Sequence, residues 1–432
     1  MKKFLSILCA LVLLMTCALP AFAADAVTYT AVAQGRNGEL TVETDILEGK
    51  IVAVRVTNHS ESAGVADPAI EMMPARIVEK QSVAADAVSG ATITSNAIAN
   101  AVSDCIAQAG LDVANYQSKE VYERTEVEIT TGVLVIGGGG SGLSAAIEAR
   151  EQGADVLLLE RLSTLGGNTK LSQGMVLRGR EADEDESAMT AEEVYRQFSN
   201  YGAGNEGFND AMVLEFTQKM EENTAWLMDM GYDAQPTVYT GWLPMEVGGN
   251  AEDVTKGLVL VHGEPQKGVS KGNYIIDAMQ AQAEKVGVEI MVDTGAIEIL
   301  TDDTGAVVGA KAMGFATNTE YTIHASAVVI ATGNKDGNDG ITGGTGYEDN
   351  GTALARAAGA KIGVYGKNNT ESIYIDGETR VLNEAGEAVR HLYAVGEVTE
   401  IVSTGHCYTM CGARNAWSLF TGRIAGANAA AE

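Results

Sequence analysis

Val133-Leu134-Val135-Ile136-Gly137-Gly138-Gly139-Gly140-Ser141-Gly142 is the stretch on which the reading of this 432-residue chain turns. Four apolar residues in a row make a short strand buried on both faces, and glycines begin where it ends. Gly137, Gly139 and Gly142 fit G-x-G-x-x-G: the first permits a tight turn, the second lets the backbone approach a pyrophosphate, and the third packs a helix against the strand. A helix over 142–152 would aim free N–H groups and its positive dipole end at those phosphates. A second buried strand over 155–159 leads into Glu160, close to the ~20-residue offset at which an acid binds ribose hydroxyls. A phosphorylated ribose would be repelled there, so FAD or NAD fits better than NADP. No Gly-Lys-Ser/Thr follows, and Leu143 stands where G-x-S-x-G needs its last glycine, so neither a P-loop nor a nucleophile elbow competes.

Residues 161–174 read RLSTLGGNTKLSQG, and three later stretches, 327–333 (AVVIATG), 392–399 (LYAVGEVT) and 422–426 (GRIAG), complete a pattern. With them the chain resembles, over most of 132–431, the fumarate reductase and succinate dehydrogenase flavoprotein family, which includes urocanate reductases and ketosteroid dehydrogenases. The resemblance implies a Rossmann-like α/β domain with a mixed sheet and non-covalent FAD. It assigns to that cofactor Gly137, Gly139, Ser141, Gly142, Glu160 and Arg161 of the first unit, then Gly167, Asn168, Thr169 and Gly174. Thr332 and Gly333 would close the dinucleotide fold, and Gly396 and Glu397 would meet the ribityl or ribose hydroxyls. The last helix, from about Asn415, would point its N-terminus at the flavin, where a helix dipole stabilises the negative charge of the reduced ring.

The N-terminal third reads differently. Residues 29–56 alternate apolar and polar positions around the turns Gly35-Arg36-Asn37-Gly38 and Glu48-Gly49-Lys50, the pattern of a small antiparallel unit. Ile98, Val102, Cys105 and Ile106 then recur at helical spacing. With His59-Ser60-Glu61 between them and Asp86-Ala87-Val88-Ser89-Gly90-Ala91-Thr92 before the helix, residues 27–112 are similar to the FMN-binding domains of respiratory sodium pumps and electron-transport complexes. The resemblance implies a small α+β domain in which the FMN phosphate esterifies a threonine, here Thr92, with an FMN transferase as maturation partner. Asp86 could bind the metal that reaction uses. Thr94 is the second candidate acceptor, and Thr94 or Ser95 also reads as a helix N-cap. The expected order is a signal peptide over 1–23, the FMN domain over 27–112, a linker over 113–129 and the FAD domain over 130–432.

Met1-Lys2-Lys3, an apolar run over 4–19 and Ala21-Phe22-Ala23 form the charged, hydrophobic and cleavage regions of an export signal. An exported chain would lose a dissociating cofactor to dilution, which is what an ester bond prevents. Thr16 before Cys17 is not the small residue a lipid-attachment box prefers, so periplasmic, cell-surface or secreted export is expected over a lipid anchor. With 29 basic against 58 acidic side chains and a formal charge of −29, the surface repels nucleic acid and anionic lipid. An acidic substrate would need a local cationic pocket. Beyond the signal, Cys105 reads as a buried thiol, and the Cys407 and Cys411 pair beside His406 has too few ligands nearby for a metal site. No metal is expected, and no C-x-x-C-H for a c-type haem occurs.

Thr190 with Glu193 forms a capping box opening a helix toward 201, and 210–230 makes another with Val213, Phe216, Met220 and Leu227 on one face. A third helix covers 273–286, followed by a strand over 288–292 and a hairpin over 300–308. Residues 350–360 resemble the helix that leads into the family's clamp domain, yet the return strand near 372–376 arrives after about a dozen residues, too few for a domain. The clamp is expected to be reduced or absent near 361–372, and with it the family's proton-donating arginine. Catalytic candidates therefore come from what remains near the flavin. Arg414 could bind a carboxylate through its two-donor fork or form a structural salt bridge. Tyr408 or His406 could donate a proton. The chain thus reads as an exported oxidoreductase that takes electrons from a membrane or extracellular donor and passes them from covalent FMN to FAD. From there they reach the activated C=C bond of a small unsaturated acceptor, of fumarate, urocanate or enone type. The alternative is an electron-transfer module or truncated relative that turns over no substrate.

Overall fold

The structure is a computed structural model that describes residues 26–62, 65–88, 91–118, 123–239, 256–263, 271–333, 351–365, 370–403 and 410–432. It divides into two compact units, the first comprising Met1–Glu61, Ala69–Ala87 and Thr92–Glu120, the second Ser62–Pro68, Val88–Ala91 and Val121–Glu432. The proposed signal peptide lies outside the described residues. Among those that are described, no helix is long and apolar enough to cross a membrane.

The first unit is an antiparallel sheet of β1 (Val27–Gln34), β2 (Glu39–Leu47) and β3 (Lys50–Asn58), with helices α1 (Asp67–Lys80) and α2 (Thr92–Gln108). Alternation puts Leu40, Val42 and Ile46 inward, where α2 covers them with Ile98, Val102, Cys105 and Ile106, all fully buried. Beyond α1 the side-chain amide of Gln81 accepts from the Ile51 N–H at 2.9 Å and donates to its carbonyl at 2.7 Å, acting as a strand partner for β3. On the outer face Arg55 grips Asp45 with two hydrogen bonds, 2.6 and 2.8 Å, and Thr28 donates a third at 2.7 Å. Of the stretch read as a linker, Val113–Tyr116 is a 3-10 turn whose buried Tyr116 hydroxyl donates to the Gly49 carbonyl, and the next strand already starts at Thr125. The linker is therefore shorter than expected, because an aromatic anchor at one end and strand pairing at the other consume it.

The second unit runs β4 (Thr125–Ile136), α3 (Gly140–Glu151), β5 (Val156–Leu159), α4 (Gly167–Leu171), β6 (Val176–Arg178), α5 (Ala191–Gly202) and α6 (Asp210–Asp229). It continues with β7 (Gln235–Tyr239), β8 (Leu258–His262), α7 (Gly272–Val286), β9 (Glu289–Met291), β10 (Thr294–Thr301), β11 (Val307–Gly314) and β12 (Thr319–Ile330). The last elements are α8 (Gly351–Ala357), β13 (Ile362–Tyr365), β14 (Thr370–Ile373), β15 (Arg380–Leu382), β16 (Ala388–Ala394) and α9 (Ala413–Ala429). Strands β9, β5, β4, β12 and β16 are parallel neighbours in that order. In chain order this is 3-2-1-4-5, a doubly wound sheet whose order reverses between β4 and β12, and ligands bind such sheets outside the strand ends at that reversal. The sheet is mixed because β10 and β11 add antiparallel strands against the first half of β12 and β15 pairs antiparallel with β16. A separate sheet, β6-β8-β7, is antiparallel and was not read from the sequence.

The expected capping box is present, with the Glu193 N–H donating to the Thr190 hydroxyl and the Thr190 N–H to the Glu193 carboxylate. Val213, Phe216, Met220 and Leu227 of α6 are buried, and Phe216 meets Trp417 and Phe420 of α9 at ring distances of 5.1 and 5.5 Å. Arg423 of α9 ties the helices together: it donates to Glu148 of α3 at 2.9 Å and to Asn223 of α6 at 2.7 Å, with its guanidinium over Trp226. Strands β13 and β14 pair antiparallel, with Ile362 opposite Ile373 and Tyr365 opposite Thr370.

Arg423→Met should lower unfolding free energy by about 1–3 kcal/mol in urea titrations, because it takes the cation from the buried Glu148 carboxylate and leaves it only the Gln152 amide donor among the described residues. For the first unit, the Arg55 hydrogen bonds and then Thr28 lower the Asp45 carboxyl to about 2. A lowered folded-state value adds stability that is present above the ordinary carboxylate range and is lost as pH falls through about 2. Asp45→Asn should flatten the acid limb of the stability profile between about pH 4 and pH 2, a modest change because the pair is solvent-facing.

Candidate functional site

The ends of β4, β12 and β16 converge where the sheet order reverses. After β4 the chain turns at Gly137 with φ 112°, a conformation that favours glycine. Helix α3 begins so close behind that a Cβ on Gly142 would lie 1.8 Å from the Gly137 carbonyl oxygen. By contrast, a Cβ on Gly139 would find its nearest neighbour 3.9 Å away. That open backbone surface at an uncapped helix N-terminus fits a pyrophosphate. Beside it the Gly166 N–H donates to the Gly138 carbonyl at 2.9 Å, which brings Gly167, Asn168 and Thr169 of α4 against the first glycine turn.

Glu160 follows β5 and is buried. Its carboxylate accepts from the Gly138 N–H and the Leu162 N–H, each at 2.8 Å. Burial pushes its proton affinity up, and backbone donors of Leu162, Gly138 and Arg161 oppose that. On the other side, Gly396 packs against Ser141, and Gly333 lies beside the Glu397 carboxylate. Glu397 accepts from the Asn168 side chain at 2.9 Å and pairs with Arg414 at 3.2 Å, with both members of the ion pair mostly buried. Asn415 donates to the Met175 carbonyl at 2.8 Å and to the Ser172 hydroxyl at 3.2 Å, which fixes the start of α9 against the strand leaving Gly174.

Around the glycine turn the structure thus places Glu160, Thr169 and Thr332, and beside it Ser141 with Gly396 and Asn168 with Glu397. Arg414 takes the salt-bridge arrangement, directed at Glu397. His406, Tyr408 and Cys407 lie outside the described residues. Cys411 donates to the Met175 sulfur at 3.3 Å, and burial raises its thiol, while Cys105 is fully buried. Among the described residues no cluster could hold a metal ion. Sequence reading missed Tyr232, whose hydroxyl donates to the Gly174 carbonyl and accepts from the Gly263 N–H. Burial pushes that hydroxyl up to about 12, so it stays a donor at neutral pH. His262 is structural: one ring nitrogen meets the Tyr239 hydroxyl at 3.1 Å and the other the Gly263 carbonyl at 3.0 Å.

In the first unit, α2 starts at Thr92, three residues earlier than a Thr94 cap would place it. Thr92 is exposed. Thr94 is buried, and its hydroxyl donates to the buried carboxylate of Glu61. That carboxylate also accepts from the Asn37 N–H at 2.9 Å, so the bond that occupies Thr94 fixes the β1–β2 turn as well. The Asp86 carbonyl accepts from Arg76 at 2.9 Å.

Fold and site together define a flavoprotein with two flavin domains. A family model for an FAD binding domain matches residues 132–365, and one for an FMN-binding domain matches residues 35–107. The chain belongs to the FAD-binding family and carries an FMN-binding domain ahead of it. It is 32% identical to a urocanate reductase of Eggerthella lenta over 71% of this chain and 49% of that protein. It is 28% identical to an NADH:acrylate oxidoreductase of Vibrio harveyi over 71% of this chain and 35% of that one. The chain therefore spans half or less of these relatives. A flavocytochrome c3 fumarate reductase in its open conformation shares the fold, with a TM-score of 0.55 at 16% identity over 70% of this chain and 78% of that one.

Glu397→Ala should weaken FAD binding by at least about tenfold in calorimetric titration, since it removes one charge-assisted acceptor and releases both Asn168 and Arg414.

Proposed function

We propose that this protein is an exported flavoprotein reductase that passes electrons from an FMN esterified to Thr92, through non-covalent FAD, to the activated C=C bond of a small organic acceptor. The observation that carries the reading is the presence of both flavin domains in one chain. The relatives named for urocanate and acrylate reduction support the acceptor class. When bound, the flavins supply the redox chemistry, and the protein's own residues supply position and electrostatics.

In this reading Glu160 holds the adenosine ribose, Gly139 and the start of α3 face the pyrophosphate, and Glu397 and Asn168 meet the hydroxyls nearer the ring. The N-terminus of α9, beginning at Ala413, favours negative charge on the reduced ring. Arg414 would bind an acceptor carboxylate through its fork of five donors, with Glu397 orienting it. His406 or Tyr408 would return the proton. Exposure of Thr92 and occupation of Thr94 by Glu61 favour Thr92 as the acceptor of FMN phosphate, with an FMN transferase as partner. The leader over 1–23 supports export, and electrons would come from a membrane or extracellular donor. The four-residue gap between β13 and β14 favours a second reading, in which the chain is an electron-transfer module without substrate turnover.

Made alongside a flavin transferase, the wild-type chain should keep one flavin after denaturation and release one FAD. Thr92→Ala should lose the retained flavin and keep the FAD, whereas Thr94→Ala should retain both. Mass spectrometry placing the flavin on another residue would overturn the assignment. Oxidation of reduced dye by fumarate, urocanate, acrylate or an enone supports the reductase reading, and flavin reduction with no turnover of any acceptor supports the second.

A further inference from the structure

The turn between β11 and β12 carries a phenylalanine with no place in the core. Phe315 is 46% exposed in a segment otherwise made of Gly314, Ala316, Thr317, Asn318 and Thr319, where turns take small and polar residues. Its position is nonetheless held. The Phe315 N–H donates to the Asp293 carbonyl at 2.9 Å, the Asp293 N–H to the Leu162 carbonyl at 2.8 Å, and the Thr294 N–H to the Glu160 carbonyl at 2.9 Å. The same short bridge of backbone thus fixes both the phenyl ring and the acid assigned to the ribose. The Arg161 guanidinium sits over the ring, 5.6 Å from its centroid. Gly295 lies between them: a Cβ there would come within 3.1 Å of the Phe315 ring and 3.4 Å of the Arg161 side chain.

We propose that Phe315 and Arg161 form the wall on which the adenine of FAD stacks, and that Phe315 is an affinity residue for the adenosine half of the cofactor. The inference rests on FAD occupying the glycine turn with its ribose at Glu160. The base is joined to that ribose by a single glycosidic bond, so it must lie against the nearest surface beyond Glu160. There the chain offers a guanidinium plane and an aromatic face, the two side-chain groups that stack on a purine regardless of its hydrogen-bonding edge. An exposed phenyl ring that buries itself against the base on binding also accounts for a large apolar residue in an otherwise polar turn.

The test uses the full chain stripped of non-covalent FAD, with calorimetric titration of FAD and, separately, of ADP, which carries the adenosine half alone. Stacking of one base on one ring predicts that Phe315→Leu weakens both ligands by the same factor, between about 5-fold and about 150-fold. Phe315→Tyr, which keeps the ring, should bind both as the wild type does. Riboflavin, which has no adenine, should bind wild type and Phe315→Leu alike. ADP affinity that is equal across wild type, Phe315→Leu and Phe315→Tyr overturns the proposal. Wild-type protein that takes up no FAD overturns the cofactor assignment instead, and the two failures are distinct. Should Phe315→Leu not fold, Arg161→Met, in a side chain that is already exposed, carries the same prediction for ADP.

Discussion

Helix α3 lies against the ends of β4 and β12 at a distance that admits no side chain at Gly142, and the second unit depends on this approach. Close packing there sets the tilt of α3, and α9 then packs along α3, with Arg423 bridging to Glu148 and α6. The N-terminus of α3 is in turn held where the parallel sheet reverses its order, so backbone N–H groups face the crevice that such a reversal opens. The anion-binding character of the site follows from this packing and needs no cationic side chain, which suits a chain with twice as many acids as bases.

Around that crevice, two carboxylates divide the work at opposite ends. Glu160 is buried and faces backbone donors alone, so its burial cost is offset by hydrogen bonds that also brace the glycine turn. Glu397 is engaged by Asn168 from α4 and by Arg414 from α9, which joins the start of both helices to the loop after β16. A dinucleotide lying between them would meet rigid elements at each end, because every one of these side chains already has its partner within the protein. Preorganisation of this kind reduces the ordering cost that binding would otherwise carry.

Much of this was legible because the signals are local. The glycine run, the buried strands over 133–136 and 155–159, the capping box at Thr190 and the apolar face of α6 each declare themselves within a few turns of chain, and the structure has each of them, with β4 reaching back to Thr125 and β5 starting at Val156. What escaped depends on distant partners or on a residue that misleads locally. Strands β6, β7 and β8 are three to five residues long, and β6 finds its neighbour β8 some eighty positions later, so no periodicity announces them. Helix α1 contains Pro74, which reads as a breaker. The Thr94 hydroxyl looked available until Glu61, 33 residues away, claimed it. Arg414 was recognised as significant, but only the fold could show its guanidinium directed at Glu397.

The hairpin β13–β14 bears most directly on what the chain does. A reductase of the proposed kind must exclude water from the face of its flavin and deliver a proton there. In this chain the hairpin closes on itself with Ile362 paired to Ile373 and Tyr365 to Thr370, and Ile373 is fully buried in the core of the second unit. Burial of Thr370, Ser372 and Ile373 makes β14 part of the packed FAD domain. Beside it, Arg414 pairs with Glu397, and Asn415 holds the start of α9 to the Met175 carbonyl, so the polar groups at this edge of the domain are tied to the same core.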